Sequence, residues 1–439
     1  MAIRRHASKI FNKSILAITI TCTSLTVSAD FIEDSSLKLK LKNEYRRADR
    51  PSADAPYGPK IDAWVQGYLF DFSSGKINDK ISIDASLYHT QKLAADEDKS
   101  TRFYLDGHDS ATIGGVSINL DLADWAQFKI GQFGTDYLHG SLDHMVPLID
   151  HSSNRTDPTM AEGILWRGDF ADNIHLYGMV STKEAGKYKK SWQDTGLIGF
   201  VDGAFVTVDE KTTYNFAALW QTAYSNLKFG WQGMDDQADQ FQVEAGHTWA
   251  MPFNSMMRAE SRFYYAKTKG YSKDTYAPMT GGNDDTFLAS AVAWWMLDQW
   301  TLTGAIGQAG NKLLPVLEID TDIGYVFDQS IDRNGQDMFS WQLGVMYDLT
   351  PSLKIGGLVT FTDGYEDYTK TVKQEGIGGT LLLMHKVKEG ELKGLETTFV
   401  YSNATEDRKG VDGHPDSQRG GNLDYYDIML KVHYPVDIF

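Results

Sequence analysis

The sequence predicts an all-β fold: a transmembrane antiparallel β-barrel of about 18 strands with an inward-folded third extracellular loop. Three observations predict it. From Ser35 onward the chain is a series of segments in which apolar and polar residues alternate with a period of two, as in strands with one apolar and one polar face. Brief turns take turns with long polar segments. Aromatic residues gather beside the brief turns.

The alternation is plainest in the last stretch, Leu423 to Phe439. Tyr426, Ile428, Leu430, Val432, Tyr434, Val436 and Ile438 fall on one parity, and Asp427, Met429, Lys431, His433 and Asp437 on the other. In a closed barrel such a strand pairs with the first. The first strand, Leu37 to Tyr45, sets Leu37, Leu39 and Leu41 against Lys38, Lys40 and Lys42. The second runs from Asp62 to Phe72 and the third from Asp79 to His89, where Ile81, Ile83, Ala85 and Leu87 oppose Lys80, Ser82, Asp84 and Ser86.

Short turns are read at Ser73 to Asn78, Ala123-Asp124, Ala171-Asp172, Tyr224-Ser225, Pro252 to Asn254, Asp298-Gln299, Thr350-Pro351 and Lys388 to Leu392. Long polar segments lie near 46–61, 90–111, 134–160, 183–212, 268–285, 310–337, 363–374 and 404–423, with a brief acidic connection at 235–238. The strands between them have roughly the 9–11 residues that cross a bilayer at a tilt. Within 183–212, Gly196 to Val208 reads as a loop hairpin or an extra strand. A membrane strand there would change the count. Trp125, Phe170, Tyr224, Trp249, Phe253, Trp295, Trp300 and Tyr347 form the girdle beside the short turns, where an amphipathic ring suits the headgroup level.

Composition bounds the rest. Arg4, Arg5, Lys9 and Lys13 precede an uncharged stretch from Ser14 to Leu25, and small residues fill Val27-Ser28-Ala29. Residues 1–29 therefore have the form of a signal peptide, leaving 30–439 as a single barrel domain four units more negative than the formal charge of −17. That balance argues against nucleic acid as a partner. Cys22, the only cysteine, lies in the expected signal segment, so the mature chain has no disulfide. No later apolar run reaches the roughly 18 residues of a spanning helix.

A barrel of this width is too wide for side chains to fill, so its lumen is wet. With the apolar parity toward lipid, the inward set includes Lys38, Lys40, Lys42, Lys129, Arg167, Lys228, Arg258, Glu260, Arg262, Lys354 and Lys431. Bases outnumber acids in that set, and the acids are expected mostly in the long loops, as at Asp96-Glu97-Asp98. A line of Lys and Arg in water can pass an anionic group from site to site. The narrow point is expected in the third long loop, residues 134–160. Its Leu138, Leu142, Val146 and Ile149 are too apolar for a loop in water, and the inner wall is the surface available to them. Tyr137, Asp143, His144, Asp150, His151 and Arg155 would then serve the constriction.

Three segments carry a family resemblance. Asp30-Phe31-Ile32-Glu33-Asp34-Ser35-Ser36-Leu37, the run from Trp64 to Gly75, and Lys129-Ile130-Gly131-Gln132 resemble the OprD family of outer-membrane porins. Ile438-Phe439 is similar to the ending of its chitoporin branch. The resemblance implies an eighteen-stranded monomeric channel for small solutes, with the third loop turned inward and a basic ladder on the wall. Asp157-Pro158-Thr159-Met160 departs from the family's commoner wording before the sixth strand, and Phe439 departs in parity from Val436 and Ile438.

The expected function is passive, substrate-selective diffusion of small hydrophilic solutes across a bacterial outer membrane. Carboxylates such as amino acids or organic acids rank first. The alternative is a chitoporin-type channel for amino-sugar oligosaccharides, for which Tyr68, Tyr88, Tyr177 and Tyr264 are candidate inward platforms. Outer-membrane lipid and lipopolysaccharide are the expected surroundings. No enzyme is expected: His139, His144 and His151 have no serine in a nucleophile context. No cofactor or metal is assigned, since Asp332, Asn334 and Asp337 fit no complete calcium loop.

Overall fold

The structure is a computed structural model. It describes residues 29–49, 60–95, 102–105, 108–134, 158–185, 191–201, 204–274, 281–311, 324–326, 335–415 and 422–439. The expected signal segment lies, but for Ala29, outside the described residues.

A short helix, Ala29–Glu33 (α1), precedes strands Ser36–Asp49 (β1), Lys60–Ser73 (β2) and Ile81–Ala95 (β3). The single turn Arg102–Leu105 (α2) leads to Ser110–Ala123 (β4), Ala126–Gly134 (β5), Met160–Ala171 (β6) and Ile174–Ala185 (β7). Gln193–Asp194 (β8), Gly196–Val201 (β9) and Ala204–Glu210 (β10) are short. Next come Thr213–Gln221 (β11), Ser225–Met234 (β12), Ala238–Met251 (β13), Ser255–Thr268 (β14) and Asp285–Leu297 (β15). The last six are Trp300–Ala309 (β16), Gln336–Thr350 (β17), Leu353–Tyr365 (β18), Val372–Lys386 (β19), Glu396–Gly410 (β20) and Asn422–Asp437 (β21).

Eighteen of these close a ring. Each of β1–β7 and β11–β21 pairs antiparallel with the next, β7 passes to β11, and β21 pairs with β1. The hydrogen-bonded sheet counts nineteen because β8 adds a stub to β7. β9 and β10 form their own two-stranded sheet, paired with no strand of the ring, so Gly196 to Val208 is a loop hairpin and the strand count stands. Closure continues past β21: Leu37 N donates to Phe439 O at 3.0 Å and Ile438 N to Leu37 O at 2.9 Å.

The turns fall where the sequence puts them. Pro252 to Asn254 joins β13 to β14 and Asp298-Gln299 joins β15 to β16. The strands are longer than expected at the other end, where β1 reaches Asp49 and β20 reaches Gly410. Beyond the hydrocarbon both faces meet polar surroundings, so Thr405, Asp407 and Lys409 point outward on β20 while its pairing with β19 continues to Gly410. The period of two in hydropathy vanishes there although the strand does not.

Burial is inverted relative to a soluble protein. Leu343, Ile377 and Leu381 are about 60% exposed on the outer face, while Glu44, Thr362 and Gln240 are fully buried on the inner one. Water inside and lipid outside require this inversion. Seven of the eight girdle residues are exposed; Tyr347 is half-buried, its ring 4.4 Å from Trp300 and its hydroxyl donating to Gln299 Oε1 at 2.7 Å. Parts of the inner face are apolar. Ile61, Ala63 and Val65 of β2 are covered by Tyr104 and Leu105 of α2, both fully buried. Strand β2 thus carries apolar residues on both faces because a loop segment dries part of its inner one.

Gly131 and Gly163 face each other across β5 and β6. Gly131 has φ of 123°, and a Cβ there would lie 2.5 Å from Val116 O. Such a conformation costs a side chain about 1–3 kcal/mol. Gly131→Ala is expected to reduce the folded, heat-modifiable band on a semi-native gel severalfold. An undiminished band would show that this strand tolerates the side chain.

Candidate functional site: the inner wall

Register assigns each inner position. On β11 to β14 the wall descends from the long-loop end in rows: Asn215, Gln232, Gln240 and Ala266; then Ala217, Gly230, Gln242 and Tyr264; then Leu219, Lys228, Glu244 and Arg262. Below these, Gly246 faces Glu260 and Thr248 faces Arg258. All of them share the parity that the sheet buries.

The third row is a buried triad. Lys228 Nζ lies 2.5 Å from Glu244 Oε1, and Arg262 donates to Glu244 Oε2 from Nε at 3.0 Å and from Nη2 at 2.6 Å. Two cations share one carboxylate. Arg258 Nε donates to Glu260 Oε1 at 2.7 Å. Halfway round the ring, β1 and β21 carry a second set. Glu44 meets His433 Nε2 at 2.8 Å, Arg46 bonds Asp427 through Nε at 3.1 Å, and Lys42 stands in register with His433 and Lys431 with Glu44.

Three further sets of inner-wall charges are paired. Lys129 pairs with Asp84, which also accepts from Asn119 Nδ2 at 2.9 Å. Asp169 holds both Arg167, at 3.1 Å, and His175, at 2.7 Å. Arg408 reaches Glu406 at 2.7 Å and Glu366 at 3.2 Å, and Tyr425 donates to Glu406 at 2.8 Å. A charge taken out of bulk water is costly unless paired, and the inner wall is built accordingly.

Every predicted ladder residue lies on the inner parity. Lys42, Lys129, Lys228 and Arg262 are buried; Lys38 and Lys40 are exposed near the short turns, and Lys354 pairs with Asp348 there at 3.0 Å. The expected placing of the acids in loops is corrected by Glu44, Asp84, Asp169, Glu244, Glu406 and Asp427, all on inner positions. The signal was available, since Glu44 and Arg46 continue the parity of Lys42. Tyr88, Tyr177 and Tyr264 share that parity, whereas Tyr68 falls on the outer one with Trp64 and Phe70.

Tyr137, Asp143, His144, Asp150, His151 and Arg155 lie outside the described residues, as do Asp332 and Asn334. Asp337 is salt-bridged to Lys370. Two described segments lie on the inner wall: α2 and residues 324–326 of the β16–β17 connection. Tyr325 N donates to Ser290 Oγ at 3.0 Å, the Arg262 guanidinium sits 4.4 Å from the Tyr325 ring, and Val326 packs on Val292 and Ala305. The sequence reading took 310–337 as a polar loop; the apolar Ile323-Gly324-Tyr325-Val326-Phe327 was the trace of this contact.

A depression of about 870 Å³ lies on the opposite face of the sheet, lined largely by outward residues such as Ala245, Ala259, Ala291 and Gly304 between Trp249 and Trp341. It meets lipid and is not on the solute path.

Comparison with known proteins agrees with this wall. Residues 29–435 match the family described as outer membrane porin, OprD family. The chain is 33% identical over 434 residues to the membrane-associated protein UidC of Escherichia coli K12, covering 96% of this chain and 99% of that protein. Its fold is similar to OccAB2 of Acinetobacter baumannii at 17% identity and TM-score 0.74, covering 94% of this chain and all of that one. OpdK of Pseudomonas aeruginosa, solved with vanillate, matches at 16% identity and TM-score 0.69, covering 93% of this chain and all of that one.

Glu244→Gln would leave Lys228 and Arg262 without their shared counter-charge. A severalfold rise in the chloride-to-potassium permeability ratio is expected, read from the reversal potential in a salt gradient. No shift in a folded variant would remove the triad from the ion path.

Proposed function

Because the chain belongs to the OprD family of outer membrane porins, we propose that it gives passive, selective passage to small hydrophilic carboxylates, such as amino acids or organic acids. The carrying observation is the pair of facing cationic walls. Lys228, Arg258 and Arg262 stand against Glu244 and Glu260 on one side. Lys38, Lys40, Lys42, Arg46 and Lys431 stand against Glu44, Asp427 and Asp437 on the other. Each side keeps an excess of positive charge, and the two fields add near the axis. A unit charge about 10 Å away in water attracts an anion by about 0.4 kcal/mol, enough in sum to concentrate carboxylates without trapping them.

The carboxylate vanillate in the OpdK structure supports this ranking. Against an amino-sugar path, the inner tyrosines sit on separate strands, and Tyr88 and Tyr264 have their hydroxyls tied to Asp71 and Gln240. They make no continuous stacking rail.

Liposome swelling tests the ranking. Glutamate is expected to enter faster than chitobiose, and Arg262→Met with Lys431→Met to lower the glutamate-to-chitobiose rate ratio about tenfold, the equivalent of one lost charge contact. Faster entry of chitobiose into liposomes bearing the unaltered protein would reverse it.

A further inference from the structure

At the short-turn end of the β11–β14 wall the inner face opens into a cavity of about 270 Å³. Leu219, Gln221, Asn226, Lys228, Thr248 and Arg258 line it from the strands, and the turn from Thr222 to Tyr224 closes its lower end. The register places the Asn226 amide: Asn226 faces Gly246, and Gly246 faces Glu260, so the amide lies over a position that has no side chain. A Cβ on Gly246 would collide with the Asn226 amide oxygen and lie 3.1 Å from Glu260 Cγ.

Two kinds of group converge on the cavity. Lys228 and Arg258 supply positive charge, each already held on one side by an acid, Glu244 and Glu260. Gln221, Asn226 and Thr248 are neutral and make no side-chain hydrogen bond among the described residues. Each of these three both donates and accepts, as a hydroxyl does. A bare carboxylate would use only the two cations and leave the neutral groups to water. A solute bearing hydroxyls beside its carboxylate can replace those waters bond for bond. The volume lies just under the range of small-molecule pockets, about 300–1,000 Å³, which suits a solute of monosaccharide size.

We infer that this cavity is a binding site for a polyhydroxylated carboxylate, with the acid group on Lys228 and Arg258 and the hydroxyls on Gln221, Asn226 and Thr248. The inference rests on the carboxylate reading above and narrows it.

The test is current block of the full-length channel in planar bilayers by gluconate, by hexanoate, which lacks the hydroxyls, and by the uncharged polyol sorbitol. Gluconate is expected to half-block at about one tenth the concentration of hexanoate, the size of effect that two added hydrogen bonds give. In Gln221→Leu/Asn226→Leu that ratio should fall toward one, and in Thr248→Val it should fall partway. Lys228→Met should weaken gluconate severalfold. Equal block by both acids, or a gap that survives the double substitution in folded protein, overturns the inference and leaves the carboxylate reading intact. If neither acid blocks better than sorbitol, the carboxylate reading fails and takes the inference with it.

Discussion

Hydrocarbon offers no partner to a backbone amide, so every N–H and C=O in the wall must be paired by the wall itself. That constraint is met where β21 lies along β1, from Lys38 opposite Asp437 to Asp49 opposite Tyr426. The order of the other strands follows from simple neighbour pairing once this seam is closed. The one departure, from β7 to β11, passes over a hairpin that pairs only with itself. This integral outer-membrane protein therefore keeps its irregular backbone out of the wall, and the long connections are free to carry α2 and the 324–326 segment onto the inner face.

Closure fixes what the two faces can be. With lipid outside, Leu, Ile, Phe and Trp are the exposed residues. With a wet lumen inside, the inner residues are polar, yet loops and neighbouring strands shield them. Shielded charge is tolerable only in company. Lys129 with Asp84 and Arg46 with Asp427 follow from this requirement, as does the carboxylate of Glu244 shared by two cations. The inner wall is a mosaic of pairs with small residual charge, and not a row of bare cations.

The fold was legible because the barrel writes its physics locally. A strand such as Leu37 to Tyr45 shows its two faces in nine successive letters, and Pro252 to Asn254 marks its own turn. Residues 404–410 were misread as loop because alternation in hydropathy reports the lipid and not the hydrogen bonding; above the bilayer the ladder persists without it. The site was legible only in part. Parity alone put Lys228 and Arg262 on the inner face. That Glu244 lies between them depends on the registers of β12, β13 and β14, which no local pattern carries. Tyr325 was missed for the same reason: its partner Arg262 lies on a strand far from it in sequence.

The pairing bears on how a selective passive channel can work at all. A bare lysine in a narrow, partly dried lumen would hold an anion too well, and a channel must release what it binds. Sharing each cation with a neighbouring acid lowers the hold without abolishing the sign of the field. The Lys228–Glu244–Arg262 triad has a net charge of one spread over two donors, so on the proposed carboxylate reading an arriving carboxylate would compete with Glu244 for one arm and leave the other satisfied. Exchange of partners would then replace outright breaking of an ion pair at each step. On that reading the small charge left over on the two facing walls would give direction to the solute, and the acids beside the cations would give it leave to go.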